Sequence, residues 1–175
     1  HSDSSAASDV YKRQGWYSLG LAYKENGDIE NAMNSFKETV RLNSKYYKAH
    51  KSLGDIYIDT EEFDKAISSF QKAIDVKPNY SFAYHSLGIT YAKIENFEKS
   101  AEALSKAVEI APKEHLSWFH LAEAYNKLGD CESAKEAALE STDLKKNVGG
   151  GWCELGSAEY CSGAGNKNAA LNEVE

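Results

Sequence analysis

Histidines are the first residues to consider for chemistry, because imidazole serves both as a metal ligand and as a general base. The chain contains five of them: His1, His50, His85, His115 and His120. A helical zinc site typically places two ligands four residues apart on one helix face. His115 and His120 are five apart and do not share a face. We therefore predict no metal site, and nothing in these residues implies a cofactor.

Two glycine-rich segments, 149–151 and 163–167, invite a comparison with phosphate-binding loops. Such a loop needs the order G-x4-G-K-S/T after a strand, and neither segment has it. No Ser, Cys or Thr nucleophile stands at a recognisable spacing from a base. We predict no catalytic residue in this sequence, so that the chain by itself is not an enzyme.

The charge balance excludes several classes of partner. The chain has 20 basic and 27 acidic residues, a net charge of −7, and only two of its basic residues are arginines. Binding to nucleic acid needs a clustered basic surface that neutralises phosphates, so we predict no nucleic-acid partner. No apolar run reaches the roughly 18 residues of a membrane-spanning helix, and no leader-like apolar stretch is present. We predict no membrane insertion, and a cytoplasmic location is favoured.

A period of 34 residues organises the chain and must position any functional side chain. Aligned at this shift, the sequence falls without insertion or deletion into four blocks: 13–46, 47–80, 81–114 and 115–148. Position 7 is always Leu, position 11 is always Tyr, and position 8 is Gly except for Ala122 in the fourth block. With position 4, these positions are spaced i, i+3, i+4 and i+7, so they share one face of a helix.

The second half of each block predicts a second helix. Small residues recur at positions 20 and 27, and Phe36, Phe70 and Leu104 occupy position 24. Glycine at position 8 and the small residues are expected to let the two helices approach closely. Polar turn signals such as Asn26-Gly27-Asp28 separate the helices, and Pro78 and Pro112, 34 residues apart, end the second helix.

This pattern resembles the tetratricopeptide repeat in its period and in its Trp, Leu-Gly, Tyr, Ala, Phe and Pro phases. The resemblance covers residues 13–148. It implies an all-α fold, a right-handed α-solenoid of antiparallel helix pairs with four full repeats. Trp152, Leu155 and Gly156 begin a fifth block in register. We predict that 149–175 is a partial, degenerate and truncated fifth repeat of a longer protein.

The first 12 residues have no apolar period and are rich in Ser, Ala and Asp. We predict that residues 1–12 are a non-native or disordered leader. The first helix is expected to begin near Arg13 and Gln14.

In the family that this chain resembles, the first helices line a concave groove, and repeat positions 2, 5, 9 and 12 point into it. Carried onto this chain, these positions give a basic, polar stretch in block two and an apolar patch around Phe82, Ile89, Leu116 and Phe119. The candidate partner-binding residues are Tyr17, Lys48, Lys51, Asp55, Phe82, His85, Ile89, Leu116, Phe119 and Glu123.

The resemblance implies a non-catalytic protein–protein interaction scaffold that binds a peptide or partner segment in this groove. An apolar patch on a surface typically marks such an interaction site. In an alternative, the fifth block or a missing segment covers the patch. A second hypothesis is a substrate-docking arm of a larger enzyme such as a glycosyltransferase. An RNA-binding pentatricopeptide array is disfavoured by the acidic balance.

The best-known use of such a groove is a clamp for the C-terminal carboxylate of chaperone peptides. That clamp has Lys and Asn at positions 5 and 9, Asn at position 6 of the next repeat, and Lys and Arg at positions 2 and 6 of the third. This chain offers at these places Lys51, Asp55, Ser86, Leu116 and His120. Only Lys51 fits, and Asp55 would repel a carboxylate. We predict that the partner is not a carboxylate-clamp chaperone.

Overall fold

The structure, a computed structural model, describes residues 2–144, with side chains from residue 11 onward. This part of the chain forms eight α-helices: α1 (Ser2–Glu25), α2 (Ile29–Leu42), α3 (Tyr47–Asp59), α4 (Phe63–Val76), α5 (Ser81–Lys93), α6 (Phe97–Ile110), α7 (His115–Leu128) and α8 (Cys131–Leu144). No strand occurs within 2–144. The predicted fifth repeat at 149–175 lies outside the described residues.

The helices repeat with the period of the sequence. The second helices α2, α4, α6 and α8 begin at residues 29, 63, 97 and 131, and all four end at the same repeat position. Helix pairs α1–α2, α3–α4 and α7–α8 pack together, and α2 packs on α3 as α6 packs on α7. The predicted all-α solenoid of helix pairs is confirmed.

The chain divides into two compact units, and the division falls inside α5. Unit 1 is His1–Ala83 and contains α1 to α4 with the first residues of α5. Unit 2 is Tyr84–Glu175, and its described part is the rest of α5 with α6, α7 and α8. The block boundaries deduced from the sequence stay a prediction.

The first helix begins earlier than the sequence indicated. Helix α1 starts at Ser2, whereas the apolar period starts only near Arg13. Residues 2–12 contain no Pro or Gly, and alanine is the best helix former, so nothing in this stretch ends a helix. The expected start is therefore wrong by about three turns. The foreign origin of residues 1–12 stays a prediction.

The two helices of a block approach closely at position 8, as expected from its glycines. A Cβ atom added there would lie 2.5–2.6 Å from the side chain at position 24, in the pairs Gly20–Phe36, Gly54–Phe70 and Gly88–Leu104. These three position-24 side chains are fully buried. A methyl group at position 8 has no room, because a non-bonded carbon needs about 3.5–4.0 Å.

The leucine at position 7 fills the seam to the preceding block. Leu53 belongs to the same buried cluster as Ala32 and Phe36, and Leu121 packs with Leu104 and Val108. Block one differs, since its residues at positions 4 and 7, Trp16 and Leu19, are each 39% exposed. Among the described residues, no second helix precedes α1 to cover them.

A polar bond recurs at position 4. Nε2 of His50 lies 2.7 Å from the carbonyl oxygen of Ser44, and Nε1 of Trp118 donates to the carbonyl of Pro112 at 2.8 Å. Both bonds join residues six apart, between position 32 of one block and position 4 of the next. His50 is therefore a packing residue that ties the turn between blocks to the first helix.

The turn inside each block needs one residue with left-handed backbone, always at position 15. Gly27 and Gly129 have φ of 78° and 76°, and in the two middle blocks Glu61 and Glu95 take φ of 60° and 57°. Glycine adopts this conformation without steric cost, whereas a residue with a Cβ atom is strained there. The middle blocks thus carry backbone strain that the first and last blocks avoid.

We predict that Gly54→Ala destabilises the protein by about 1–3 kcal/mol, because the added methyl group meets the Phe70 ring in a close-packed seam. Gly15→Ala is the matched control, since Gly15 is helical and a Cβ there meets nothing within 4 Å. The control should gain about 0.5–1 kcal/mol from helix propensity. Urea unfolding followed by circular dichroism measures both values, and equal effects at the two sites would contradict the close approach.

We predict that Glu95→Gly stabilises the protein by about 0.5–1 kcal/mol. The substitution removes the strain of a left-handed backbone, and this gain exceeds the entropy cost of introducing glycine. The same substitution at exposed Glu102, in the middle of α6, should instead destabilise by a similar amount. Denaturation midpoints measure the two variants. A loss of stability at residue 95 as large as at residue 102 would show that position 15 carries no strain.

Candidate partner-binding surfaces

A cavity of about 250 Å³ opens in unit 2 among α5, α6 and α7. Its wall is mostly apolar, and its polar groups are one lysine, one histidine and one glutamate. The lining residues are Ile89, Ala92, Lys93, Phe97, Leu104, His120, Glu123 and Ala124. Leu104 is the side chain held against Gly88, so the close approach of α5 and α6 also fixes one wall of the cavity.

The polar side of the cavity is organised around His120. Its Nδ1 lies 3.3 Å from a carboxylate oxygen of Glu123, and its ring meets the rings of His85 and Phe119 at centroid distances of 5.4 and 5.0 Å. His85 in turn places Nδ1 2.9 Å from the hydroxyl oxygen of Ser117. The imidazole of His120 is therefore fixed between a charged and an aromatic neighbour.

Apolar side chains of α7 extend this surface beyond the cavity. Leu116 is 45% exposed, and Phe119 is half-buried one turn further along the same helix. Neither belongs to the buried cluster of unit 2, which Leu121, Ala122 and Ala124 enter from the opposite face of α7. Helix packing within the described residues thus leaves Leu116 exposed and Phe119 only partly covered.

The structure brings together most of the candidate residues that fall in unit 2. Ile89 and Glu123 line the cavity, His85 and Phe119 contact His120, and Leu116 lies on the exposed face of α7. Their role in binding a partner stays a prediction.

Six of the eight lining residues were not among the candidates predicted from the sequence: Ala92, Lys93, Phe97, Leu104, His120 and Ala124. Ala92 was the available signal, because a small residue at a groove position leaves space beside it. The cavity therefore extends the predicted surface towards α6.

In unit 1 the corresponding surface is charged. One carboxylate oxygen of Asp55 accepts a hydrogen bond from Lys51 at 2.9 Å and lies 3.7 Å from the ammonium nitrogen of Lys24. Lys24 comes from α1 and Lys51 from α3, so Asp55 joins the two first helices. Lys48 is exposed one turn before Lys51. Lys24 completes a cluster whose other three residues were predicted from the sequence.

Unit 1 also contains a row of aromatic rings. Tyr47 and Tyr80 meet at a centroid distance of 4.9 Å, and Tyr80 meets Phe82 at 5.9 Å. The ammonium of Lys77 lies 4.7 Å from the Tyr47 centroid, within the range of a cation–π contact. Phe82 itself is 55% exposed. The row therefore presents an open aromatic face at the beginning of α5.

Tyr17 has a different environment from the one expected for a groove residue. Its ring packs against Phe36 at 5.6 Å and Tyr46 at 5.1 Å between centroids, and it is half-buried against the core cluster of unit 1. The side chain therefore contributes to helix packing as well as to the surface. A direct role of Tyr17 in binding stays a prediction.

Burial changes the acidity of one hydroxyl in this region. Desolvation raises the pKa of Tyr80 to about 12, and the nearby Tyr17, Tyr47 and Asp55 contribute in the same direction. The phenol therefore stays protonated at neutral pH.

Among the described residues, no three His, Cys, Asp or Glu side chains lie close enough to hold a metal ion. None of the helices within residues 2–144 is both long and apolar enough to cross a bilayer.

We predict that stability falls as pH rises from 10.0, the ordinary pKa of tyrosine, to about 12. In this window the unfolded chain releases the Tyr80 proton while the folded chain retains it, so unfolding is favoured. Tyr80→Phe should make the decline shallower. Urea midpoints measured across the window test this, with a thermal melt at neutral pH to verify folding. An unchanged slope in the variant would contradict the burial of this hydroxyl.

Comparison with known proteins agrees with this architecture. The family profile described as Tetratricopeptide repeat matches residues 14–46, 83–114 and 116–148, and the one described as TPR repeat matches residues 54–95. No curated protein sequence matches the chain.

Several solved structures are similar in fold. MamA from Desulfovibrio magneticus RS-1, from residue 41 to the end, is 19% identical with a TM-score of 0.77, over 94% of this chain and 97% of that one. YrrB, described as a TPR protein with an unusual peptide-binding site, is 17% identical with a TM-score of 0.73, over 82% and 74%. The first TPR of Spaghetti (RPAP3), bound to the HSP90 peptide SRMEEVD, is 19% identical with a TM-score of 0.66, over 69% and 96%.

Identities this low show the fold alone, and it is the family profile that decides membership. The stretches matched as Tetratricopeptide repeat alone cover more than half of the 175 residues. They also follow the helix pairs and the glycine contacts described above. The chain belongs to the tetratricopeptide repeat family.

Proposed function

We propose that this chain is a non-catalytic protein-interaction scaffold, and that unit 2 binds a partner segment through an apolar anchor side chain. The observation that carries the proposal is the cavity among α5, α6 and α7, beside the exposed side chain of Leu116 and the half-buried side chain of Phe119. Side chains that helix packing does not cover, next to an apolar cavity, are typical of a protein-binding surface.

The size of the cavity suits one side chain rather than a small-molecule ligand. Pockets for drug-sized ligands typically measure about 300–1,000 Å³, whereas an engineered apolar cavity of about 150 Å³ already admits benzene. At about 250 Å³, this cavity accommodates a Leu, Met or Phe side chain. His120, Glu123 and Lys93 then lie where they contact the backbone or polar neighbours of such an anchor.

Two of the similar structures support binding of peptides as the general activity. YrrB is described as having a peptide-binding site, and the RPAP3 repeat was solved with a peptide bound. This support is an analogy at the level of the fold, because function depends on the site and not on the fold. The support that comes from this chain itself is the cavity and the neighbouring surface of α7.

The sequence bears on how the partner is held and on whether the chain belongs to a larger enzyme. The partner is not held by a chaperone-type carboxylate clamp, because among the clamp positions only Lys51 matches. A substrate-docking arm of a larger enzyme would use the same surface, and the family resemblance alone suggests it.

Selection of displayed peptides on the immobilised chain tests the proposal. We expect the selected peptides to share one large apolar residue and to bind the Leu116→Ser/Phe119→Ser variant at least about tenfold more weakly. Ala92→Leu should have a similar effect, because the larger side chain fills the cavity without removing an apolar group.

Leu139→Ser is the matched control, since Leu139 is 44% exposed but lies on the second helix α8. It should leave affinity unchanged, and circular dichroism should show that all variants are folded. Selected peptides without an apolar anchor, or peptides that bind Ala92→Leu as tightly as wild type, would overturn the assignment of the cavity.

A further inference from the structure

We infer that unit 1 carries a separate anion-binding subsite, in which Lys24 and Lys51 bind the carboxylate side chain of an acidic partner segment in competition with Asp55. The inference takes from the proposed function only the premise that first helices face a partner. It concerns other helices, another unit and a different chemistry, so either can fail without the other.

The geometry leaves most of the hydrogen-bonding capacity of the two ammonium groups unused. An ammonium has three donors, and Lys51 donates one of its own to Asp55 at 2.9 Å. Lys24 approaches the same oxygen only to 3.7 Å, which is an ion pair but too long for a hydrogen bond. An incoming carboxylate therefore finds donors on both lysines without first displacing Asp55 completely.

The charges in the cluster also favour an anion. Asp55 contributes one negative charge against the two positive charges of Lys24 and Lys51, and exposed Lys48 adds a third one turn away. Within the described part of the chain, Lys24 and Lys51 both form their ion pair with Asp55. The side chains are 22–33% exposed, so the pairing is less screened than at a fully open surface.

Neighbouring groups indicate the kind of segment that carries the carboxylate. Leu21 is 38% exposed one turn before Lys24 on α1, and Phe82 is 55% exposed beside Tyr80. We therefore expect a segment in which acidic residues flank an apolar or aromatic one.

Asp55 acts in this site as an internal competitor. Because its carboxylate occupies the space between the two lysines, it lowers the affinity for an external anion while keeping the ammonium groups together. Removing its charge but not its shape should therefore strengthen binding, whereas removing a lysine should weaken it. This opposite response of neighbouring residues distinguishes a built site from general attraction to a basic surface.

The test measures fluorescence anisotropy of a labelled, C-terminally amidated peptide Gly-Ser-Glu-Glu-Phe-Glu-Glu-Gly-Ser with the full chain. We expect Lys24→Gln/Lys51→Gln to weaken binding about tenfold or more, since two charge-assisted contacts are lost. Asp55→Asn should tighten binding about three- to tenfold, because the competing charge is gone. The peptide with Gln in place of Glu should bind at least about tenfold more weakly than the acidic one.

Matched variants separate this subsite from non-specific attraction to exposed lysines and from the surface of unit 2. Lys72→Gln removes an exposed lysine from the second helix α4 and should leave the affinity unchanged. All lysine and Asp55 variants are also measured in the Leu116→Ser/Phe119→Ser background, in which unit 2 no longer contributes to binding of the Phe side chain of the probe, so this test can fail independently of the proposed function. Thermal melts verify that each variant is folded.

Four results would overturn the inference. They are no binding of the acidic probe by the wild type, equal binding of its Gln counterpart, unchanged or weaker binding by Asp55→Asn, and an equal loss in Lys72→Gln. A further measurement uses the same peptide with a free C-terminus. Binding seen only with that peptide would assign the site to a terminal carboxylate and overturn the assignment to side chains.

Discussion

The approach of two helices at repeat position 8 is the constraint on which the rest of this structure depends. Glycine there lets the buried side chain at position 24 of the second helix contact the backbone of the first, with no space for one more methyl group. Close-packed interiors transmit such a constraint over the whole helix pair. In the first three blocks the direction of the first helix, and with it the placement of its surface residues, follows from this contact.

The two helices of a repeat differ in which of their faces are buried. The second helices are amphipathic and bury small or aromatic residues such as Ala66, Phe70 and Ala73. The first helices also bury one face, but their other face stays available, as Leu116 and Phe119 show on α7. Since a repeat cannot form a core alone, its neighbours supply the packing, and part of the first helix stays exposed.

The same helix face carries different chemistry in the two units. In unit 2 it is an apolar cavity with an ordered His120–Glu123 pair, and in unit 1 it is a pair of lysines joined by Asp55. Substitutions at a few surface positions produce this difference, while the buried positions keep their repeat pattern. The surface of such a repeat array can therefore change while its core stays the same.

The sequence by itself determined the helix pairs, their period and the close contacts at position 8, because these depend on local periodicity and on residue size. It also pointed to first-helix residues such as Ile89, Phe119 and Lys51. It could not indicate that Trp16 and Leu19 are exposed or that α1 begins at Ser2, because no local pattern encodes what packs against them. Only the tertiary structure decided that Lys24 and Lys51, 27 residues apart, share one carboxylate, and that a small Ala92 leaves a cavity beside His120. Such features depend on distances between helices, which are set by the sum of many buried contacts.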